Sequence, residues 1–507
     1  MSDNRRIAKN TLFLYFRMFL IIGISLYTSR VIFAVLGVED FGLYNVVGGI
    51  IAMFSVLNGI ISSSTSRFLT YELGKNNIQR LTNVFSASFF SHVFISIVIL
   101  VLAETVGLWF INTQLVIPED RLNAANWVYQ FSILAAMISF TQSPYSALII
   151  SHERMNIYAY MSIIEVVLKL LIVYVLVISS FDKLKLYSVL MFVVTTIIAL
   201  IYRIYCIKHY KESRLRIVKN KALYKQLISY SGWNLIGAIV VLLQGQGINI
   251  LLNVFFGPII NAARAISYQV QGAIIQFSNN FFTAVKPQIV KLYAQNNIDE
   301  MMKLMYQSSY FSFYLLFLII LPLILEMQYV LNLWLKNVPA YTVSFTILIL
   351  LNQLIVCLKN PRMAIFEAMG KIKRANIFVG LTMITIFPIS YLLLKLGFSP
   401  IWVFYVMIIV NFISEIVSSY VLRCYMPFNV WQYFYKVYGK CLIVALIASF
   451  PPCCVIYIMP SSFVRLCITV IISTISILIT VFYLGINKEM KTKALIFLHN
   501  KILRVRT

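Results

Sequence analysis

The stretch Arg203-Ile-Tyr-Cys-Ile-Lys-His-Tyr-Lys-Glu-Ser-Arg-Leu-Arg-Ile-Val-Lys-Asn-Lys-Ala-Leu-Tyr-Lys225 holds eight basic residues against one acid, Glu212, and lies between two long apolar segments. When a chain inserts into a membrane, its short loops are oriented by Lys and Arg residues, which stay on the cytoplasmic side. We therefore expect this loop to be cytoplasmic, and the apolar segments on either side of it to alternate across the bilayer.

The composition is that of an integral membrane protein. Of the 507 residues, 61% are hydrophobic and only 12% are charged, whereas a soluble domain carries about 25% charged residues. The net charge of +25 follows from membrane orientation and from attraction to anionic lipid headgroups. Membrane lipids are therefore expected partners and nucleic acid is not, and the predicted fold class is an all-α polytopic membrane protein.

The apolar segments are about as long as a bilayer core of ~30 Å requires, and they predict about 14 transmembrane helices. With both termini inside, most of the 42 Lys and Arg residues fall in cytoplasmic loops or at cytoplasmic span ends. The predicted spans are Thr11 to about Leu36, then 41–66, 82–110, 122–150, 157–179, 187–207, 227–256, 259–284, 304–325, 341–358, 376–396, 400–422, 440–459 and 462–485.

The two halves of the chain resemble weak copies of each other. An offset of 220 residues aligns Gly37 with Gly257, and Asn76-Asn77-Ile78 with Asn296-Asn297-Ile298. In transporters, such repeats form two lobes that enclose a site, so we expect two six-helix pseudo-repeat lobes around a central cavity plus two extra helices. The predicted domains are 1–207 (first lobe), 208–226 (basic cytoplasmic loop), 227–424 (second lobe), 425–485 (spans thirteen and fourteen) and 486–507 (basic cytoplasmic tail).

Signatures of catalysis and of cofactor binding are missing from the sequence. It has no G-x-x-x-x-G-K-[ST] phosphate loop and no H-E-x-x-H, and Gly245-Gln-Gly247 is not followed by the third glycine of a dinucleotide fingerprint. Seven cysteines and four histidines lack the spacing of a disulfide framework or a metal site. We therefore predict no cofactor, no metal and no enzymatic activity.

Polar residues inside the predicted spans are the candidate site residues, because a charge in the bilayer needs a partner or a wet cavity. Span one carries Arg17 and Arg30, and span seven carries Gln246 and Asn249. These groups either line a substrate cavity or join helices. On span eight, spacings of three and four residues place one set on a single helical face: Asn261, Arg264, Tyr268 and Gln271.

Three acidic residues inside spans are candidates for ion coupling: Glu104, Glu165 and Glu415. Glu165 lies four residues before Lys169, an arrangement that also favours a simple intrahelical ion pair. Glu104 and Glu415 have no basic neighbour at helical spacing, so a partner would have to come from another span.

Span two and its flanks hold the most recognisable stretches of the sequence: Leu36-Gly-Val-Glu-Asp-Phe-Gly-Leu-Tyr-Asn45, Ser62-Ser-Ser-Thr-Ser66 and Tyr71-Glu-Leu-Gly74. These stretches resemble the Wzx-type flippases of bacterial polysaccharide biosynthesis. The resemblance implies the wider multidrug/oligosaccharidyl-lipid/polysaccharide exporter superfamily, in which spans one, two, seven and eight line a cavity between two lobes. It also implies that cations there meet the diphosphate of an undecaprenyl-linked sugar, and Arg17, Arg30 and Arg264 fall on two of these spans.

The sequence therefore predicts a transporter that flips an undecaprenyl-diphosphate-linked repeat unit of O-antigen (lipopolysaccharide), capsule or exopolysaccharide by alternating access. We expect it in the bacterial inner membrane, with both termini cytoplasmic and with the lipid-linked oligosaccharide and other polysaccharide-assembly proteins as partners. One alternative is a multidrug/cation antiporter of the same superfamily, although span one carries arginines and no carboxylate. The other is a membrane glycan polymerase or ligase, which would need a longer outer loop.

Overall fold

The structure, a computed structural model, describes residues 2–74, 77–152, 154–225, 240, 242–335, 337–486 and 491–492, with side chains from residue 21 onward apart from some scattered helical positions. These residues form two compact units. The first comprises Met1–Ala265 with Leu394–Leu396, and the second comprises Ile266–Leu393 with Gly397–Thr507. The predicted lobe boundaries at 207 and 227 stay a prediction.

In the first unit, the helices are α1 (Ser2–Gly74), α2 (Ile78–Leu102), α3 (Leu108–Thr113), α4 (Leu122–Ser151), α5 (Met155–Ile178), α6 (Lys183–His209) and α7 (Ile248–Phe256). A π-turn at Ala103–Gly107 joins α2 to α3, and another at Leu243–Gly247 precedes α7. The centre of the unit is α4, which packs against α1, α2 and α6. Helix α7 packs against α1 as well.

Helix α8 (Pro258–Ala294) begins in the first unit and continues into the second. The later helices are α9 (Ile298–Leu325), α10 (Met327–Leu335), α11 (Thr342–Val356), α12 (Asn360–Ala368), α13 (Ile372–Ile384), α14 (Ile386–Lys395), α15 (Ile401–Arg423), α16 (Val430–Tyr433), α17 (Lys440–Ile458) and α18 (Phe463–Thr480). Helix α15 packs against α11 and α13, and the α17–α18 pair packs against α9. The all-helical fold class is confirmed for the described residues.

Eleven helical segments among the described residues are long and apolar enough to cross a membrane. They correspond to eleven of the fourteen predicted spans. The second, seventh and eighth predicted spans are not among them. The second continues α1 beyond a kink, and the eighth corresponds to α8. The first part of the seventh, at 227–239, lies outside the described residues, and its remainder holds the π-turn Leu243–Gly247 and α7. The count of fourteen therefore stays a prediction.

The internal repeat is supported by two glycines. Gly37 has φ 78° and ψ 176° at the kink of α1, and Gly257 has φ 78° and ψ −176° between α7 and α8. This backbone region is essentially restricted to glycine. The aligned asparagines match too: the Asn77 side chain accepts a hydrogen bond from Arg80 N (2.9 Å), and the Asn297 side chain accepts one from Glu300 N (3.3 Å). The offset of 220 thus pairs equivalent kinks and equivalent helix caps.

Alanine at either kink should destabilise the protein. A Cβ atom is strained at this φ and ψ, so we expect Gly37→Ala and Gly257→Ala each to lower the free energy of unfolding by about 1–3 kcal/mol. Gly272→Ala is the matched control, because a Cβ there would meet no heavy atom within 4 Å on an ordinary helix. Thermal unfolding in detergent checks this. Equal midpoints for Gly37→Ala and Gly272→Ala would contradict the strain argument.

An arginine joins three parts of the first unit near its predicted outer side. Arg121 Nε donates to Asp40 Oδ1 of α1 (2.8 Å), and Arg121 Nη1 donates to Asp182 Oδ2 (2.8 Å). Asp182 also caps α6 by accepting from Lys185 N (3.1 Å). Burial raises the pKa of Asp182, but these hydrogen bonds outweigh burial and hold that pKa below its usual value. Arg121 and its two aspartate partners therefore hold α1 and the starts of α4 and α6 together on this side of the first unit.

Candidate functional site

Three amide side chains and one backbone carbonyl form a cluster in the first unit, which we call the amide cluster: the side chains of Gln246, Asn249 and Asn261 and the carbonyl of Asn45. Asn249 and Asn261 are buried. Asn249 Nδ2 donates to the Asn45 carbonyl (3.2 Å) and Gln246 Oε1 (3.4 Å). Asn261 Nδ2 donates to the carbonyl (2.6 Å) and to Oδ1 (2.9 Å) of Asn249. The cluster therefore ties α1 to the π-turn, α7 and the start of α8, as amides in membranes often do.

Two glycines of α1 allow the close approach on which the amide cluster depends. A Cβ atom on Gly49 would lie 2.6 Å from Gln246 Oε1, and one on Gly42 would lie 2.0 Å from the Pro258 carbonyl oxygen. Both distances are far below van der Waals contact. At position 42 only glycine fits without movement of the backbone, and at position 49 a larger residue would push the Gln246 side chain out of its place in the amide cluster. The close contacts thus explain why glycine occupies these two positions of span two.

Arg264 lies beside the amide cluster and is 6% exposed. Its Nη2 donates to the carbonyl of Gly245 at 2.6 Å, inside the π-turn Leu243–Gly247. A π-turn changes the helical hydrogen-bond pattern and is frequent at functional sites. Because a guanidinium stays charged in proteins, this arrangement holds a permanent cation next to the amide cluster.

A cavity of about 510 Å³ opens in the first unit beside the amide cluster. Its volume falls within the range of about 300–1,000 Å³ that is usual for ligand sites. Gln246 belongs both to the amide cluster and to the cavity wall, so the two features are continuous. The other polar lining residues are Tyr44, Asn45, Ser132, Ser139, Gln142, Glu165, Ser188 and Thr195.

Glu165 is the carboxylate among the described residues that line this cavity. Lys169 Nζ lies 2.6 Å from Glu165 Oε1, so the predicted intrahelical pair of α5 is confirmed. Both side chains remain about 40% exposed (42% for Glu165 and 37% for Lys169). The pair is therefore reachable from the cavity, and the role of Glu165 in ion coupling stays a prediction.

The structure brings together four of the predicted site residues: Gln246, Asn249, Asn261 and Arg264. Arg30 is half-buried on α1, while the side chain of Arg17 lies outside the described residues. Gln271 and Tyr268 belong to the second unit, where Gln271 Nε2 donates to Gln353 Oε1 (3.0 Å).

Two predicted ion-coupling residues have partners that spacing along the chain does not reveal. Glu104 Oε2 accepts from Gln130 Nε2 of α4 (3.1 Å). In the second unit, Glu415 is paired with Arg362, and the two residues are 1% and 0% exposed. Arg362 Nη1 also donates to the Glu415 carbonyl (3.0 Å), and the Tyr438 hydroxyl donates to Glu415 Oε2 (2.9 Å). The charge pattern predicts Arg362 at a cytoplasmic loop or span end, but the residue is fully buried.

Helical spacing and charge do not select Asn45 or Gln142 as site residues. Asn45 contributes its backbone carbonyl to Asn249, 204 positions away, and Gln142 reaches the cavity wall from α4. The signal that points to Asn45 is the dense polar text of span two, in which it lies.

Comparisons with known proteins identify the fold and the family. The structure is similar to one titled lipid II flippase MurJ, inward closed conformation, with a TM-score of 0.70, 12% identity and coverage of 92% of this chain and 98% of the other. It is also similar to an inward-facing MATE family multidrug resistance transporter of the MOP superfamily (TM-score 0.67, 12% identity, coverage 81% and 95%).

A MOP superfamily transporter from Pyrococcus furiosus is a further structural match, with a TM-score of 0.58, 13% identity and coverage of 83% of this chain and 94% of the other. No curated protein sequence matches the chain. The sequence profile of the family described as polysaccharide biosynthesis protein matches residues 7–293, more than half of the chain. The chain is therefore a multi-pass membrane protein with the MOP transporter fold, and it belongs to the polysaccharide biosynthesis protein family.

Proposed function

We propose that this chain is a flippase that moves an undecaprenyl-diphosphate-linked oligosaccharide from the cytoplasmic to the outer leaflet by alternating access. The observation that carries the proposal is the buried Arg264 guanidinium beside the amide cluster, within the region that the family profile matches. The proposal is supported by the structural similarity to a protein titled lipid II flippase MurJ. The substrates would be repeat units of O-antigen, capsule or exopolysaccharide.

Two physical requirements of such a substrate agree with the site. A diphosphate cannot cross ~30 Å of hydrocarbon without compensation of its charge, and arginine binds phosphate oxygens through a planar fork of donors. Sugar hydroxyls need hydrogen-bond partners, which amide and hydroxyl groups in the cavity wall can supply. A cation, amides and a cavity of about 510 Å³ in one unit meet both requirements.

Reconstitution in liposomes tests this function. The probe is a fluorescent polyprenyl diphosphate that carries one N-acetylglucosamine, and dithionite bleaches the probe in the outer leaflet only. In protein-free liposomes about half of the probe stays protected, whereas the protein should expose nearly all of it, with or without an imposed membrane potential. Protection that stays at the protein-free level under both conditions would refute the proposal.

We further propose that the protein lies in the bacterial inner membrane with both termini cytoplasmic, because the basic loops then face the cytoplasm. Ser213 in the central basic loop is buried and donates to the Cys206 and Tyr210 carbonyls, so Ile217, 84% exposed, is the better labelling position. In a cysteine-free background, a cysteine at 217 should react only from the cytoplasm and one at Asn337 only from outside. The reverse pattern would overturn this orientation.

A multidrug/cation antiporter is the second candidate, because Glu165 lies in the cavity wall. It would export a fluorescent cationic dye from cells, and Glu165→Gln would stop that export. The flippase proposal expects no dye export above the empty-vector level.

A membrane glycan polymerase or ligase is the third candidate, and it would lengthen or attach glycans in the same liposomes. We propose instead that the chain is not an enzyme and that its partners include other polysaccharide-assembly proteins.

A further inference from the structure

A second cavity, which we call the lysine groove, lies in the second unit between the start of α9 and the segment 430–443. It encloses about 620 Å³. Three lysines line it: Lys303 from α9, Lys436 from the π-turn Phe434–Gly439, and Lys440 from the first turn of α17. None of the described residues that line the groove is acidic. The groove therefore concentrates positive charge at the ends of apolar helices.

Two of the three lysines have contacts within the second unit. Lys440 Nζ lies 4.9 Å from the centroid of the Tyr310 ring, which is a cation–π contact. Lys303 Nζ lies 3.9 Å from Glu300 Oε1, but both side chains are largely exposed, at 44% and 58%, so this pair is screened by water. Lys436 is exposed. A groove with three ammonium groups is complementary to an anion.

The polarity of the groove changes along α17. Beyond Lys440, the wall continues with Ile443, and an exposed apolar face follows at Leu446, Ile447 and Phe450 (67%, 49% and 72% exposed). Leu446 and Ile447 follow Ile443 by three and four residues, and Phe450 follows them by four and three, so these side chains share one helical face. A cationic end that leads directly to an apolar face fits an amphiphile with an anionic head, whereas a free phosphate ion would use only the first part.

Aromatic residues mark the depth at which this cationic end lies. Trp431 and Tyr435 are 76% and 81% exposed in the short segment before α17. Tryptophan and tyrosine are enriched at the headgroup level of membranes. By the same charge rule that orients the whole chain, the starts of α9 and α17 face the cytoplasm. The lysine groove is therefore at the level of the inner-leaflet headgroups.

We propose that the lysine groove binds the headgroup of an anionic phospholipid of the cytoplasmic leaflet, with its acyl chains along the apolar face of α17. Basic pockets between helices on the cytoplasmic side are suited to such headgroups. Gly439 lines the groove without a side chain, and a Cβ atom there would have only the Phe434 carbonyl oxygen nearby, at 3.9 Å. This glycine leaves room for the headgroup.

Lipid titration of the full-length protein in detergent tests the proposal, and it requires no transport. The probe is fluorescent phosphatidylglycerol, and anisotropy gives an apparent Kd. Each lysine near an anionic surface contributes a factor of about five, so the variant Lys303→Gln/Lys436→Gln/Lys440→Gln should raise the Kd roughly a hundredfold. The control Lys208→Gln/Lys219→Gln/Lys221→Gln removes three exposed lysines from the central basic loop, and it should bind like the wild type.

Two further arms distinguish a lipid site from a phosphate site and from diffuse charge attraction. Phosphatidylcholine with the same chains should compete poorly, and inorganic phosphate should not displace the probe at millimolar concentration. Gly439→Leu should weaken binding at least tenfold while all three lysines remain, because its side chain occupies the groove. Equal Kd values for the two triple variants, unchanged binding by Gly439→Leu, or displacement by inorganic phosphate would each overturn the proposal.

Discussion

Replacement of Arg264 by alanine is expected to abolish flipping of the diphosphate-linked probe while the protein still inserts and folds. The variant removes the buried cation beside the amide cluster, and no other group at this position can present two parallel donors to a phosphate. The Gly245 carbonyl loses one hydrogen bond, which is worth about 1 kcal/mol. We expect the protein to tolerate this loss, and abundance in the membrane, measured on the same samples, should remain near that of the wild type.

Arg264→Lys separates charge from geometry. Lysine keeps the positive charge but loses the planar fork, so we expect partial flipping, well below the wild-type rate and clearly above that of the alanine variant. Arg203→Ala is the matched control in the same unit. Arg203 is a half-buried arginine that contacts Thr141 and the Tyr145 ring of α4, whereas Arg264 contacts the π-turn beside the amide cluster.

The measurement is the initial rate of flipping divided by the amount of monodisperse protein in the liposomes. Arg264→Ala should fall to the protein-free rate, and Arg203→Ala should stay within about twofold of the wild type. A normal rate for Arg264→Ala would show that Arg264 only supports the π-turn. The substrate cation would then have to be sought elsewhere on spans one and two.

The parts of the site that the sequence could predict are those that depend on helical spacing. Asn261 and Arg264 are three residues apart on α8, and Glu165 and Lys169 are four apart on α5, so their neighbourhood follows from the geometry of one helix. The kink at Gly257 can likewise be inferred from its alignment with Gly37. These features are predictable because each is encoded within about one turn of chain, or by repetition.

The remaining contacts depend on how helices pack against each other, which periodicity does not encode. Asn249 meets the Asn45 carbonyl across 204 positions, and Arg362 meets Glu415 across 53. Arg362 follows Lys359 and Pro361, and this local sequence indicates a cytoplasmic loop. The burial of Arg362 becomes visible only in the structure, where α12 packs near α15. A buried ion pair between two helices leaves no sign in either sequence segment except an unexplained charge.

Loss of either partner of the Arg362–Glu415 pair is expected to destabilise the second unit strongly. Glu415→Gln leaves a fully buried guanidinium without its carboxylate, and the breaking of such a pair costs about 3–5 kcal/mol. Arg362→Met leaves the carboxylate and should cost a similar amount. Glu367→Gln is the control, because the Lys286–Glu367 pair is 42% and 37% exposed and exposed pairs contribute less than about 1 kcal/mol.

The double variant Arg362→Met/Glu415→Leu decides between a structural pair and an ion-coupling site. Apolar replacement of both charges removes the desolvation cost together with the attraction, so folding should recover to near the wild-type level. Thermal unfolding in detergent measures the recovery, and the liposome assay measures flipping by the same sample. We expect the double variant to fold and to flip the probe. A double variant that folds but no longer flips would instead identify Glu415 as an ion-coupling residue, since the packing would then be intact and only the titratable group would be missing.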